Sequence, residues 1–155
     1  MKRSLKPKAY IYPLPVLIIG SYDENGIANA MTAAWGTVCD LSKVSICIDK
    51  THKTAENILK TKAFTVAIAD IKNVIPADFV GIVSANKVNE KLVKTGWHAI
   101  KSEVVNVLAE ESILNENGKI DLSKFKPICY DTDGHGYYAL GEKVGNAFSD
   151  GNKLK

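Results

Sequence analysis

The chain predicts a mainly β protein of α+β character, an antiparallel barrel or sandwich with short helices inserted, in one domain over residues 1–155. Three observations point there. Strand-length apolar runs at residues 16–22, 44–48 and 64–68 are rich in β-branched side chains. Asp23-Glu24-Asn25-Gly26 supplies a hairpin turn after the first run, with Asn25 and Gly26 both suited to positive φ. The glycine-spaced candidates, Gly134-His135-Gly136 and Gly141 to Gly145, do not join a strand to a helix, which disfavours a dinucleotide-binding βαβ unit.

Taken in order, residues 16–22 read as a buried strand that turns into a segment starting at Ile27. Residues 44–48 alternate as a second hairpin partner, and residues 64–68 repeat the pattern. Between them a short helix starts at Thr54 as N-cap, with Glu56 in its first turn and Ile58 and Leu59 inward. Residues 74–84 read as a helix that Pro76 begins, and residues 89–94 as another that Gly96 ends. Residues 97–108 alternate only in part. Residues 115–118 form a turn, 121–125 a helical turn and 128–130 a strand, and the glycine-bearing tail from Tyr137 reads as an extended arm.

A length of 155 residues suits a single hydrophobic core without disulfide or metal support. The net charge of +3 is too mild to imply nucleic acid, although a basic patch suits a small anion. Cys39, Cys47 and Cys129 are odd in number and widely spaced, without zinc-ligand spacing, so they read as reduced thiols acting as small buried hydrophobes, and no metal is expected. The apolar stretch from Val16 to Ile19 falls short of the roughly 7 to 15 residues of a signal-peptide core. No run approaches the roughly 20 apolar residues of a membrane span, so the expectation is a cytoplasmic protein without membrane contact.

No catalytic constellation is legible. Ser42, Ser45 and Ser84 show no nucleophile motif; His98 and His135 read as structural or exposed, and His52, among lysines, as a surface residue or one beside an anion. Two segments invite a ligand instead. Asn29-Ala30-Met31-Thr32-Ala33-Ala34-Trp35-Gly36 packs small residues where bulky strand residues are the norm, letting a flat ligand approach the backbone. Lys50-Thr51-His52-Lys53-Thr54 sets hydroxyls and charge beside a helix start, which suits a phosphate, although from these residues alone a solvated basic turn with an ordinary cap is the favoured reading.

These segments, with Y-P-L-P-V-L-I-I-G from Tyr12, A-D-F-V-G-I-V-S from Ala77, N-G-K-I-D from Asn117 and Y-Y-A-L-G-E-K-V-G-N-A-F-S from Tyr137, resemble the flavoredoxin and flavin reductase-like family over nearly the whole chain. The resemblance implies a Greek-key FMN-binding split barrel that forms a homodimer with FMN near the interface. It implies that Asn29, Met31, Thr32, Ala33 and Trp35 line the ring and ribityl chain, that Lys50, Thr51, Lys53 and Thr54 hold the phosphate, that Ser84, Ala85 and Lys87 approach the cofactor, and that Phe148 covers the ring. It also implies electron transfer through flavin N5 from NAD(P)H or a redox protein to flavin or another acceptor, which fits the missing constellation because a cofactor carries such chemistry. Two departures stand out: Ala85 replaces a family glycine, and two barrel strands with a family histidine are missing between about Val105 and Val107, which puts barrel closure in question. The alternative is a non-enzymatic flavin-binding or scaffold protein that has lost activity with those strands.

Overall fold

The computed structural model describes residues 11–88, 91–95, 108–146 and 150. Within them run the strands β1 (Leu14–Pro15), β2 (Leu17–Tyr22), β3 (Ala28–Ala33), β4 (Gly36–Asp40), β5 (Lys43–Ile46), β6 (Thr65–Ile68), β7 (Ile128–Tyr130) and β8 (Tyr137–Ala139), with helices α1 (Lys53–Thr61), α2 (Val74–Ile82) and α3 (Leu122–Phe125). The architecture is mainly β with short helices, as the hairpin pattern predicts.

The central strand is β2, antiparallel to β3 on one side (Ile19 opposite Met31) and to β6 on the other (Ile19 opposite Val66). Both of its faces are covered, which explains its near-continuous apolar run. Val16 and Ile18 join Ala30, Ala77, Val80 and Ile128 in one cluster. Leu17 and Ile19 join Ala33 in another, with Ile58 and Phe64 against it. Helix α2 covers the first face, and α1 lies over the second, where Asn57 Nδ2 donates to Ser21 Oγ at 3.2 Å. Ala69 stitches this sheet to the one ordered β1-β7-β8: its N–H donates to Val16 O at 2.9 Å and its carbonyl accepts from Ile128 N at 3.1 Å.

The β4–β5 hairpin stands apart as a two-stranded sheet with most residues exposed. Residues 44–48 therefore shorten to β5, and Cys47 N donates to Trp35 O at 2.7 Å beyond its end. Cys39 and Cys47 are exposed thiols rather than buried ones, because beyond Ile46, which packs on the core, most of the hairpin is uncovered by the described residues; Cys129 is half-buried. In the β2–β3 turn only Gly26 has positive φ, at 78°. Asn25 is spared it because Asp23 Oδ1 accepts from the amides of Asn25 and Ile27 and closes the turn.

The N-cap of α1 is His52, not Thr54. Thr54 is buried, and its hydroxyl accepts from Asn29 Nδ2 at 2.8 Å, so a tertiary bond takes the group that local pattern assigns to the cap. Helix α2 begins at Val74, leaving Pro76 within the first turn where its missing donor costs nothing, and ends at Ile82 rather than Ser84. Of the helix expected over 89–94, the described part is a 3₁₀ turn at Val93–Thr95; Asn89 and Gly96 lie outside the described residues. The turn over 121–125 is α3, with Asp121 Oδ1 accepting from Ser123 N at 2.9 Å. The tail opens with β8, paired to β7 (Cys129 opposite Tyr138), before residues 141–146 run exposed. Phe148, His98 and the point of strand loss between Val105 and Val107 lie outside the described residues. Among those described, the ladders form three separate sheets rather than one closed ring.

Candidate functional site

One edge of β3 is hydrogen-bonded to β2, and no strand among those described bonds to the other. The Ala30 carbonyl on that free edge accepts from Lys91 Nζ at 2.7 Å. Alternation along an antiparallel strand then turns the backbone groups of Ala28, Ala30 and Thr32 outward with it. Small side chains make this edge approachable, as the sequence suggests. Gly81 of α2 lets the helix come close: a Cβ there would sit 3.3 Å from the Thr32 Cβ. The Thr32 hydroxyl completes the contact by donating to the Ala77 carbonyl.

Two cavities flank this edge and share Gly81 and Ile82. The first, of about 170 Å³, is lined by Asn29, Met31, His52, Lys53, Thr54, residues 80–85 and Lys91. The start of α1 forms one wall. Its first helical bond runs from Glu56 N to His52 O, and His52 makes no side-chain cap, so the amides of Lys53, Thr54 and Ala55 are left without helical acceptors. Lys53 is already neutralised by Glu56 at 3.1 Å. Lys91 is different: 5 % exposed, it has no carboxylate partner among the described residues, and burial lowers its pKa to about 8. Beside it Asn29, 4 % exposed, leaves its Oδ1 buried without a hydrogen bond. A buried cation, an orphaned polar atom and unpaired amides together describe a cleft incomplete without a polar, anionic ligand.

The structure thus brings Asn29, Met31, Lys53, Thr54, Ser84 and Ala85 together around one cleft, although they come from three separate segments. Thr32 lines the neighbouring cavity. Ala33 is buried in the core on the α1 side. Trp35 is 63 % exposed just beyond the end of β3. Lys50, Thr51 and Lys87 are exposed and outside the cleft lining; Thr51 is held by Asp49, whose Oδ1 accepts from both its amide and its hydroxyl at 2.8 Å. Those bonds, led by the Thr51 amide, lower the Asp49 pKa. Lys91 is the residue sequence reasoning misses. It lies between Lys87 and Lys94, and nothing in its spacing marks it as the buried member.

The second cavity, of about 290 Å³, is lined by Val16, Thr32, Ala34, Asp78, Gly81, Ile82, Tyr130, His135 and Tyr137. Tyr137 donates to Asp78 Oδ1 at 2.9 Å. Burial first, and then the Asp78 carboxylate, push the Tyr137 pKa up to about 12. The Tyr130 hydroxyl lies 2.8 Å from His135 Nδ1.

The family model described as flavin reductase like domain matches residues 9–134. The chain belongs to the flavin reductase-like family. Its backbone is similar to that of flavoredoxin of Desulfovibrio vulgaris (Miyazaki F), at 28 % identity and a TM-score of 0.88 over 97 % of this chain and 100 % of that one. It is also similar to flavoredoxin from Methanosarcina acetivorans, at 22 % identity and a TM-score of 0.85 over 100 % of both. An FMN-binding domain of a flavin reductases-like enzyme from Shewanella baltica OS155 shares the fold at 18 % identity, TM-score 0.71, over 85 % of this chain and 88 % of that one. Among the curated proteins none matches. In this flavin reductase-like chain the mainly β architecture with three short helices is the split-barrel fold of those relatives.

Proposed function

We propose that this flavin reductase-like protein binds FMN along the free edge of β3 and passes electrons through it, from NAD(P)H or a redox protein to free flavin or another acceptor. The observation that carries the proposal is the cleft of Lys91, Asn29 and the first turn of α1, which gathers a buried cation, a buried unpaired oxygen and free amides. A phosphate ester completes it: the amides of Lys53, Thr54 and Ala55 donate, Lys91 supplies the charge and Ser84 a hydroxyl. At about 170 Å³ the cleft suits a phosphate and its sugar chain rather than a whole flavin. The ring then runs from it along the small residues toward Trp35, with Met31 and Thr32 beneath. Lys50 and Lys87 sit on the solvent side and add long-range attraction rather than direct bonds, and Thr51, held by Asp49, lies outside the cleft.

Bound FMN supplies reversible hydride and single-electron chemistry; the protein supplies orientation and field. The similarity to flavoredoxin and membership of the flavin reductase-like family support this class of activity. The protein is proposed to act as a homodimer in the cytoplasm, without membrane or nucleic-acid contact. The β4–β5 hairpin supports the dimer, since an isolated two-stranded sheet is marginal alone and this one exposes Val38, Leu41 and Val44 beside Trp35. Anaerobic stopped-flow mixing of the FMN-loaded protein with NADH tests the donor. Bleaching of the flavin is expected for a reductase; no bleaching by either nicotinamide removes direct nicotinamide use and leaves the electron carrier.

A further inference from the structure

Helix α1 meets the sheet in two halves of different chemistry. On the face of β2 turned to α1, Leu17 and Ile19 are apolar, and Ile58 from the later turns of the helix packs with their cluster. Ser21 comes next on that face, and there the contact turns polar: Asn57 Nδ2 donates to Ser21 Oγ at 3.2 Å. Directly across the ladder from Ser21 stands Asn29, whose Nδ2 donates to Thr54 Oγ1 at 2.8 Å. Thr54 and Asn57 are three apart on one side of α1, so two rungs tie the first turns of the helix to both strands of the β2–β3 hairpin.

Ser21, Asn29, Thr54 and Asn57 are all buried, none more than 4 % exposed. The Ser21–Asn57 rung lines neither cavity, and it leaves Asn57 Oδ1 without a hydrogen-bond partner. An apolar pair of similar size avoids that loss. What an apolar pair lacks is direction: hydrophobic packing is non-directional, whereas a hydrogen bond weakens steeply as its angle closes. The directional rungs fall in the half of α1 that carries the free amides of Lys53, Thr54 and Ala55, and the apolar contact falls in the other half.

We propose that Ser21 and Asn57 are positioning residues, which fix the rotation and depth of the start of α1 so that its amides and Lys91 converge on one phosphate. Neither touches the ligand; each acts through the helix start. The proposal rests on the FMN reading above.

The test compares FMN and riboflavin titrations of the wild type with those of a double variant, Ser21→Ala with Asn57→Leu, which replaces the rung by an apolar pair. Ser21→Ala alone, which deletes one oxygen, is the second variant. In the double variant FMN binding is expected to weaken at least about tenfold and riboflavin binding by less than about twofold. Its Tm should stay within about 3 °C of the wild type, because both partners of the bond are replaced together. The phosphorus NMR signal of bound FMN should move toward that of free FMN in both variants. An undiminished preference for FMN over riboflavin in both variants would overturn the proposal, as would equal weakening of the two flavins, the mark of a merely structural pair. Equal affinity of the wild type for both flavins would instead overturn the FMN reading, and the positioning role with it.

Discussion

A lysine ammonium held out of water without a carboxylate destabilises the protein that carries it, and Lys91 is in that position. Lys91→Met is expected to weaken FMN binding at least about tenfold while leaving riboflavin, which lacks the phosphate, bound as before; isothermal titration of both ligands checks this. The lowered pKa sets the pH dependence. The unfolded lysine keeps its proton to higher pH than the folded one, so the FMN-free protein gains stability from this group as pH rises from about 8 toward the ordinary lysine value. Below about pH 8 the destabilisation is fully present. Urea midpoints at pH 7.5 and 9.5 should therefore favour Lys91→Met over the wild type at the lower pH, with the gap narrowing at the higher. At this scale the sequence was only partly legible. Asn29 and Met31 stood out because small neighbours interrupt a strand pattern. Lys91 did not, since its burial comes from the Ala30 carbonyl, 61 positions away.

At the scale of elements, the start of α1 trades stability for a ligand site. His52 has the extended backbone of a good cap, with φ −72° and ψ 140°, but no capping bond. His52→Asp is expected to cap the helix, stabilising the FMN-free protein by about 0.5–2 kcal/mol and raising Tm by about 2–4 °C per kcal/mol. The same carboxylate would occupy the amides and repel a phosphate, so FMN affinity should fall. Differential scanning calorimetry with an FMN titration reads both effects, and a rise in both would contradict the assignment of this end to phosphate. Strand periodicity located β2, β6 and β7 because the core fixes their faces. It misplaced the α1 cap, because Thr54 is drawn inward by Asn29, a partner that local pattern does not contain. It read the opening of the tail as an arm because three residues of β8 are too few to show a period.

For the molecule as a whole, the exposed β4–β5 hairpin is the feature a single chain leaves unfinished. Introducing Asp at both Val38 and Leu41 is expected to give a monomer by light scattering, while the wild type elutes as a dimer; a wild type already monomeric at micromolar concentration would contradict the dimer. The fold class was legible from hairpin turns and short strands, and family membership from ordered motifs spread along the chain. The separation of the functional edge into two cavities was not, since both depend on how closely α2 approaches β3 at Gly81 and Thr32.

The central claim is that the edge of β3 holds FMN by its phosphate. The measurement that tests it most directly is an equilibrium titration of the purified protein with FMN, with riboflavin alongside, followed by flavin absorbance and fluorescence. The account predicts saturable binding of FMN at about one per chain and weaker binding of riboflavin, by the charge-assisted bonds that the phosphate makes. No saturable binding of FMN, or equal affinity for both flavins, would contradict it.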